Sequence, residues 1–267
     1  LAHCSSCSVP EIANVFRRIG IPFFQFTGTL DTNDTCWHEL DHWIAAAQVA
    51  NTLFHNRMGL MGNYYNGMLD IHSDVTGLLA AFGGHAEIVE VDDLSALCRE
   101  VDEKSIQAKL KEFESVFAIQ KDCPAHELTR AARTAVGLDL LVKKRNLGSL
   151  AYYAMGSGVP ENESTMTSVI LGNSLLTARG IPVAGEYEVK NVIAMKIMNS
   201  FGVGGSFTEF YAMDFNDDVV LMGHDGPGHI AIAQGKTRVK PLDVYHGKVG
   251  KGLSVEMSIR HGPVTLL

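Results

Sequence analysis

Short β-prone segments alternate with longer helical segments over the central part of this sequence. We predict strands at residues 58–61, 86–91, 149–153 and 181–184. Helical periodicity is found at residues 69–82, 95–118, 125–143, 164–179 and 187–201. Strands that alternate with helices are typical of a parallel sheet covered by helical layers. The sequence therefore predicts an α/β fold with a parallel sheet flanked by helices in a Rossmann-like central domain.

The pattern changes on both sides of this central domain, which we place at residues 36–202. Residues 1–35 are interpreted as the remnant of a preceding α/β domain, with a helix near Pro10 and a strand at 21–28, and a helix at 35–54 follows. Strands without intervening helices at 203–267 indicate the start of a C-terminal antiparallel β domain. Because Leu1 is not a methionine and this last domain looks incomplete, we expect a partial chain.

Composition excludes several classes of protein. The net charge of −8 and the lack of a basic block argue against nucleic acid as a partner. Neither an apolar run long enough to cross a bilayer nor a signal-peptide pattern is found, so we expect no membrane partner. The 5 cysteines are irregularly spaced, which favours reduced thiols in a cytoplasmic protein.

A predicted hairpin brings a carboxylate and a histidine together near the end of the chain. β-Prone residues 204–215 are followed by the turn formers Asn216 and Asp217, and a second apolar strand leads to His224. A turn centred between Asn216 and Asp217 places Glu209 directly opposite His224. Opposed side chains project from the same face of a hairpin, so this pair can bind one divalent ion.

Glu186 is the third candidate ligand. It follows the short apolar strand at residues 181–184, and the carboxyl ends of strands in α/β sheets face the crevice where ligands bind. Each of the three residues alone is better explained as an ordinary hydrogen-bond or ion-pair partner at a strand end. Their combination with flanking glycines favours a metal site formed by Glu186, Glu209 and His224.

These motifs resemble those of the L-arabinose isomerase and L-fucose isomerase superfamily of metal-dependent aldose–ketose isomerases. The similar segments are Ala184-Gly185-Glu186, Gly204-Gly205-Ser206-Phe207-Thr208-Glu209 and Met222-Gly223-His224, with residues 57–70 resembling the opening of that family's central domain. The resemblance implies that Glu186, Glu209 and His224 bind Mn²⁺, with Mg²⁺ or Co²⁺ as alternatives, and that both acids transfer protons. It also implies an L-arabinose- or L-fucose-like sugar substrate and assembly as a homo-oligomer, a trimer or hexamer. A fourth ligand, a histidine of a Gly-Gly-His-His-like segment in that family, has no counterpart before Leu267.

Three further residues are candidates for substrate binding. Tyr64 and Met68 lie in the loop after the first strand of the central domain, and His229 follows His224 closely. Packing within the loop explains Tyr64 and Met68 equally well, and a role in a turn explains His229.

A different motif, His38-Glu39-Leu40-Asp41-His42, matches the zinc-peptidase pattern H-E-x-x-H. On a helix, His38 and His42 share a face and can bind zinc, with Glu39 as the base. The competing interpretation is that both histidines flank an ordinary apolar stripe, since no extended third-ligand pattern follows. A non-catalytic sugar- or metal-binding module is the other alternative to the isomerase.

Overall fold

The computed structural model describes residues 5–156, 158–243 and 250–267. These residues form two compact units, and the division between them falls after Gln48. The fold is mixed α/β with a parallel sheet between helices, so the predicted fold class is confirmed. None of the described helices combines the length and apolar composition that a bilayer-spanning helix needs. The predicted domain boundaries at residues 35 and 202 stay predictions.

The smaller unit is helical. Helix α1 covers Ser5–Ile19, and α2 covers Thr35–Phe54, as predicted for the second helix, and runs past the division between the units. The predicted strand at residues 21–28 was wrong, because this described segment has no regular secondary structure. A β-prone sequence needs a neighbouring strand to pair with, and the described residues of this unit provide none.

The larger unit contains the remaining elements. Its helices are α3 (Val75–Phe82), α4 (Val91–Glu100), α5 (Glu103–Val116), α6 (Ala125–Arg145), α7 (Pro160–Met166), α8 (Ile170–Ala178) and α9 (Val189–Ser200). Its strands are β1 (Arg57–Gly62), β2 (His85–Val89), β3 (Ala118–Ile119), β4 (Ser149–Tyr153), β5 (Val183–Ala184), β6 (Glu209–Asp214), β7 (Val219–Gly223), β8 (Arg238–Leu242) and β9 (Gly252–Glu256). A 3₁₀ turn covers Ile230–Ile232.

The central sheet is parallel, with its strands in the order β2-β1-β4-β5. All five residues of β4 are buried. Leu150 and Tyr152 pack into a core formed with α4, α6 and α8, whereas Ala151 and Tyr153 pack on the other face against α9. Helices therefore cover both faces of the sheet, which explains why β4 is buried throughout rather than alternately buried and exposed.

The order of the strands creates a crevice at one edge of the sheet. The chain runs from β1 outward to β2, then returns past β1 to β4 and continues outward to β5. The carboxyl ends of β1 and β4 thus lie side by side where the strand order reverses. In open α/β sheets, ligands bind outside the carboxyl ends of the strands at this reversal.

Two smaller sheets follow the parallel one. Strands β6 and β7 form an antiparallel hairpin, called the hairpin below. Strands β8 and β9 are antiparallel to each other, and β8 also pairs in parallel with β3. Val239 and Leu253 of this mixed sheet are buried against α5, α6 and α8. The strands expected after Gly204 are present, but β8 pairs with a strand that precedes residue 203 in the chain.

Several predicted helices begin or end elsewhere. Helix α3 starts at Val75 rather than at residue 69, because the Asp74 carboxylate accepts a hydrogen bond from the Gly77 N–H at 2.9 Å and so caps the helix. The helix predicted at 95–118 is two helices, and the second is capped by Asp102, which accepts from the Ser105 N–H at 2.7 Å. The helix predicted at 164–179 is likewise divided into α7 and α8. The strand predicted at 86–91 ends at Val89, because α4 already begins at Val91.

Candidate metal centre

The three predicted ligands converge. One ligand atom from each of Glu186, Glu209 and His224 lies within 4.8 Å of the other two. Nδ1 of His224 lies 3.4 Å from Oε2 of Glu209. Among the described residues no other group of three acidic, histidine or cysteine side chains comes as close. The structure thus brings together residues that are widely separated in sequence.

Glu186 is held by the core of the parallel sheet. It is 8% exposed and follows β5 after Gly185, with a backbone φ of +56°. Tyr187 also has a positive φ, +66°, and its N–H donates to the Tyr152 carbonyl of β4 at 3.1 Å. Positive φ costs a residue with a side chain about 1–3 kcal/mol, and such residues cluster at functional sites. This strained pair also delays the start of α9 to Val189, so the helix predicted from residue 187 begins two residues later.

The hairpin differs from the predicted register close to the site. Asp214 pairs with Val219 as expected, but a β-bulge at Tyr211 shifts the pairing, so that Glu209 faces Gly223 instead of His224. The prediction that Glu209 lies directly opposite His224 was therefore wrong by one residue. His224 comes immediately after β7, and its ring still reaches the Glu209 carboxylate because a bulge twists the ribbon locally.

The His224 side chain lies in a tight space. Only 6% of it is exposed, and its ring packs on Phe207 with 4.0 Å between ring centroids. A Cβ at Gly226 would come within 2.6 Å of Nε2 of His224, and one at Gly185 within 3.5 Å. The absence of a side chain at Gly226 therefore makes room for the His224 ring, and contact with Phe207 fixes the plane of that ring.

Two serines anchor the loop that follows His224. The buried Oγ of Ser174 in α8 accepts a hydrogen bond from the Gly228 N–H at 3.1 Å, and Oγ of Ser206 accepts from the His229 N–H at 3.2 Å. A Cβ at Gly204 would lie 2.7 Å from Nε2 of His229, so this glycine makes room for the imidazole. The loop is thereby tied both to the core and to the segment that leads into β6.

Tyr153 and Tyr211 lie near the carboxylates, and neither was predicted from the sequence as a site residue. Burial, together with the neighbouring Tyr65 and the negative charge of Glu186, raises the pKa of Tyr153 to about 12. Burial raises the pKa of Tyr211 as well, and the negative charges of Glu209 and Asp225 add to this effect. The feature of the sequence that could have identified Tyr211 is its position two residues after Glu209 on the same strand.

Glu188 is a second buried carboxylate near the site. It is 8% exposed, and its Oε2 has no hydrogen-bond partner among the described residues. Burial raises the pKa of Glu188, and the nearby Lys190 only partly offsets this effect. Since Glu188 does not belong to the converging group, it offers a matched comparison for Glu186.

The three side chains fit a divalent cation. Metal–oxygen and metal–nitrogen bonds of about 2.0–2.2 Å place two ligands of one ion at most about 4.4 Å apart. The 4.8 Å spread of Glu186, Glu209 and His224 exceeds this by little, so small rotations of the side chains suffice for shared coordination. Two carboxylates and one imidazole are a donor set that suits Mn²⁺, Mg²⁺ or Co²⁺.

The residues predicted to contact substrate have structural roles in this arrangement. The Tyr64 hydroxyl donates to the Ser73 carbonyl at 3.3 Å and accepts from the Ser73 N–H at 3.2 Å, and its ring packs on Tyr187 with centroids 4.7 Å apart. The Met68 N–H donates to the Tyr65 carbonyl at 3.1 Å in a turn. His229 is 5% exposed, outside the converging group, and its Nδ1 has no hydrogen-bond partner among the described residues. Substrate contact by these residues stays a prediction.

The motif His38-Glu39-x-x-His42 lies on α2, as predicted. Both histidines and Glu39 are exposed, and no third ligand joins them within the described residues of the smaller unit. A zinc peptidase needs three protein ligands around its ion. The geometry around α2 therefore gives the peptidase no support.

A scan against models of protein families and a search of curated proteins both found no match to this sequence.

Proposed function

We propose that this protein is a metal-dependent aldose–ketose isomerase that acts on a sugar such as L-arabinose or L-fucose. The observation that carries the proposal is the convergence of Glu186, Glu209 and His224 within 4.8 Å. The strained backbone at Glu186 and Tyr187 supports it, because such strain is retained mainly where a site requires it. The resemblance of the three motifs to those of the isomerase superfamily provides the reaction class.

Glu186, Glu209 and His224 would hold the ion, with Mn²⁺ as the first choice and Mg²⁺ or Co²⁺ as alternatives. When bound, the ion would stabilise negative charge that develops on the two neighbouring sugar oxygens during proton transfer. Glu186 is the more buried carboxylate, and the Glu209 side chain remains 31% exposed. The more accessible Glu209 is therefore assigned to the side that a sugar approaches.

Glu209 is assigned as the base. Its carboxylate takes the proton from C2 of the aldose and returns it to C1, while Glu186 assists transfer of the hydroxyl proton between the two oxygens. His224, 3.4 Å from the Glu209 carboxylate, holds that carboxylate in place. The aromatic ring of Phe207 keeps the His224 imidazole oriented.

Glu209→Gln tests this assignment. Gln keeps the size of the side chain but cannot accept the carbon-bound proton, so exchange of the C2 hydrogen with deuterated water should fall at least about 100-fold. Glu188→Gln is the matched control, since Glu188 is a buried neighbour of the site outside the converging group. Exchange at the wild-type rate in folded Glu209→Gln protein would refute the role of Glu209.

Assays of Mn²⁺ binding, sugar conversion and peptide cleavage separate the alternative functions. Mn²⁺ binding without turnover on a panel of pentoses and 6-deoxyhexoses would identify a non-catalytic binding module. Chelator-sensitive peptide cleavage that depends on His38 and His42 would identify a peptidase. Conversion of one sugar on the panel, lost on removal of the metal, is the expected result.

We also propose a cytoplasmic location and a homo-oligomeric state. Cys36, Cys98 and Cys123 are free thiols, which supports a reducing environment. Trimeric or hexameric assembly rests on the resemblance alone and stays a prediction.

A further inference from the structure

A cavity lies at the reversal of the parallel sheet, apart from the metal centre. Its volume is about 220 Å³, and its lining includes residues that follow β1, β2 and β4. None of Glu186, Glu209 and His224 lines it. The crevice at the carboxyl ends of β1 and β4 is the position where open α/β sheets bind ligands.

The lining is polar and acidic. Glu90 and Asp92 enter from the start of α4, and Glu163 enters from α7. No Lys, Arg or His is found among the described residues that line the cavity. A phosphate or carboxylate group would therefore meet like charge without a compensating cation, which disfavours phosphorylated sugars and nucleotides relative to neutral ligands.

Asn162 provides a donor within the cavity. It is 7% exposed, and its Oδ1 accepts a hydrogen bond from the Ser95 hydroxyl at 2.7 Å. Its Nδ2 donates no hydrogen bond to any residue in the part of the chain that the structure describes. This amide N–H group is accessible in the cavity, so a ligand that offers an acceptor oxygen can accept a hydrogen bond from Asn162 there.

Carboxylates beside one amide donor suit a ligand that carries several hydroxyl groups. Hydroxyl groups donate to carboxylates and accept from amides, so a polyol can satisfy both at once. Glu90 directly follows β2, the second strand of the sheet, and an acid near this position holds the ribose hydroxyls in dinucleotide-binding folds. The cavity is smaller than the roughly 300–1,000 Å³ typical of sites for drug-sized ligands, which limits the occupant to a small molecule.

We propose that this cavity binds a small neutral polyol, of the size of a five- or six-carbon sugar, through Glu90, Glu163 and Asn162. The site does not require the metal centre. Glu163 is already oriented for this role, because its Oε1 accepts the Gly158 N–H at 3.1 Å and leaves Oε2 available for a ligand hydroxyl.

Ribitol is the probe, since it has no carbonyl group and cannot be isomerised. The full chain is first dialysed against a chelator to remove divalent ions, and ribitol binding is then measured by calorimetry and by saturation-transfer NMR. We expect saturable binding in the absence of metal. Glu90→Gln and Asn162→Ala should each weaken it about tenfold, as expected for loss of a hydrogen bond to a charged or buried group.

Two controls locate the binding site. Glu100→Gln changes an exposed carboxylate at the other end of α4 and should leave ribitol affinity unchanged. Glu186→Gln changes the metal centre and should also leave it unchanged. Loss of ribitol binding in Glu186→Gln, with normal binding in Glu90→Gln and Asn162→Ala, would place ribitol at the metal centre and overturn the proposal.

Three other ligands test which chemical class of ligand the cavity prefers. Ribitol 5-phosphate should bind at least about tenfold more weakly than ribitol, because its charge meets the acidic lining. Equal affinity for the phosphate ester would contradict the argument from charge. Tighter binding of adenosine or putrescine than of ribitol would assign the cavity to a nucleoside or an amine instead, and the absence of any ribitol binding would refute the proposal outright.

Discussion

The ligands of the candidate metal centre come from two regions that differ in how they are held. Glu186 extends from the parallel sheet, where β4 is buried along its whole length. Glu209 and His224 come from the hairpin, in which most side chains of β6 and β7 are exposed. Exposed apolar residues of the hairpin include Phe210, Met213, Phe215, Val220 and Leu221.

This difference shows how the site is built. The sheet is stabilised by apolar burial and can hold a strained backbone at Glu186 and Tyr187. The hairpin buries little, so its position depends on a few directed contacts at its base. The Ser174 hydroxyl ties the loop after His224 to α8, and the hydroxyls of Ser206 and Thr208 join the two ends of the hairpin to each other. Glu186 is therefore fixed by the packing of the sheet. Glu209 and His224 are positioned by hydrogen bonds at the base of the hairpin and by the packing of the His224 ring on Phe207.

The largest expected contrast between the regions is in stability. Leu150→Ala removes a fully buried side chain of β4 and should lower the free energy of unfolding by about 2–5 kcal/mol. Leu221→Ala removes a side chain of the hairpin that is 61% exposed, and should change it by about 0.5 kcal/mol or less. Urea denaturation of both variants measures the difference. Equal losses would mean that the hairpin is as well packed as the sheet, and the contrast drawn here would fail.

The sequence predicted the sheet better than the hairpin, for a physical reason. Strand β4 was predicted with its observed bounds, because a strand buried on both faces is a continuous apolar run that ends at turn signals. The turn at Asn216 and Asp217 was also correct, since the pairing of Asp214 with Val219 follows from it. The bulge at Tyr211 carries no signal of that kind, and it displaced the pairing of Glu209 by one residue.

Two other features of the site were beyond prediction from the sequence. Residues with a side chain seldom adopt a positive φ, so nothing in Glu186 and Tyr187 indicated the left-handed backbone that aims the carboxylate. The anchoring of Gly228 by Ser174 joins residues 54 positions apart, and only the folded chain brings them together. The three predicted ligands converge nevertheless, because the local twist at the bulge lets the His224 ring reach the Glu209 carboxylate.

A smaller effect should follow from loosening the link between the two regions. Ser174→Ala removes the acceptor for the Gly228 N–H, so the loop after His224 should become less ordered. We expect about 3- to 10-fold weaker Mn²⁺ binding, less than the 10- to 100-fold typical when a direct partner of a ligand is removed. Electron paramagnetic resonance titration of Mn²⁺ measures this change.

Ser200→Ala is the matched control for that experiment. The hydroxyls of Ser174 and Ser200 each donate to the carbonyl four residues earlier, at 2.8 Å, but Ser200 makes no further hydrogen bond within the described residues. Mn²⁺ affinity in Ser200→Ala should therefore match the wild type. If the two variants weaken Mn²⁺ binding equally, the effect is a general one on helix stability and not a consequence of the loop anchor.

The smallest expected effect concerns pH and the buried His229 in the same loop. Burial lowers the pKa of His229 in the folded state, whereas in the unfolded chain it returns to about 6.5. As the pH falls below this value, the unfolded state binds a proton before the folded state does, so the stability contributed by the neutral imidazole is lost as the pH falls through the folded pKa. Between pH 7.5 and pH 5, a range that includes the unfolded pKa of about 6.5, the free energy of unfolding should therefore fall less in His229→Gln than in the wild type. Parallel curves for the wild type and His229→Gln would show that the imidazole at the base of the hairpin is solvated, and that the loop is held less tightly than the hydrogen bonds of Ser174 and Ser206 imply.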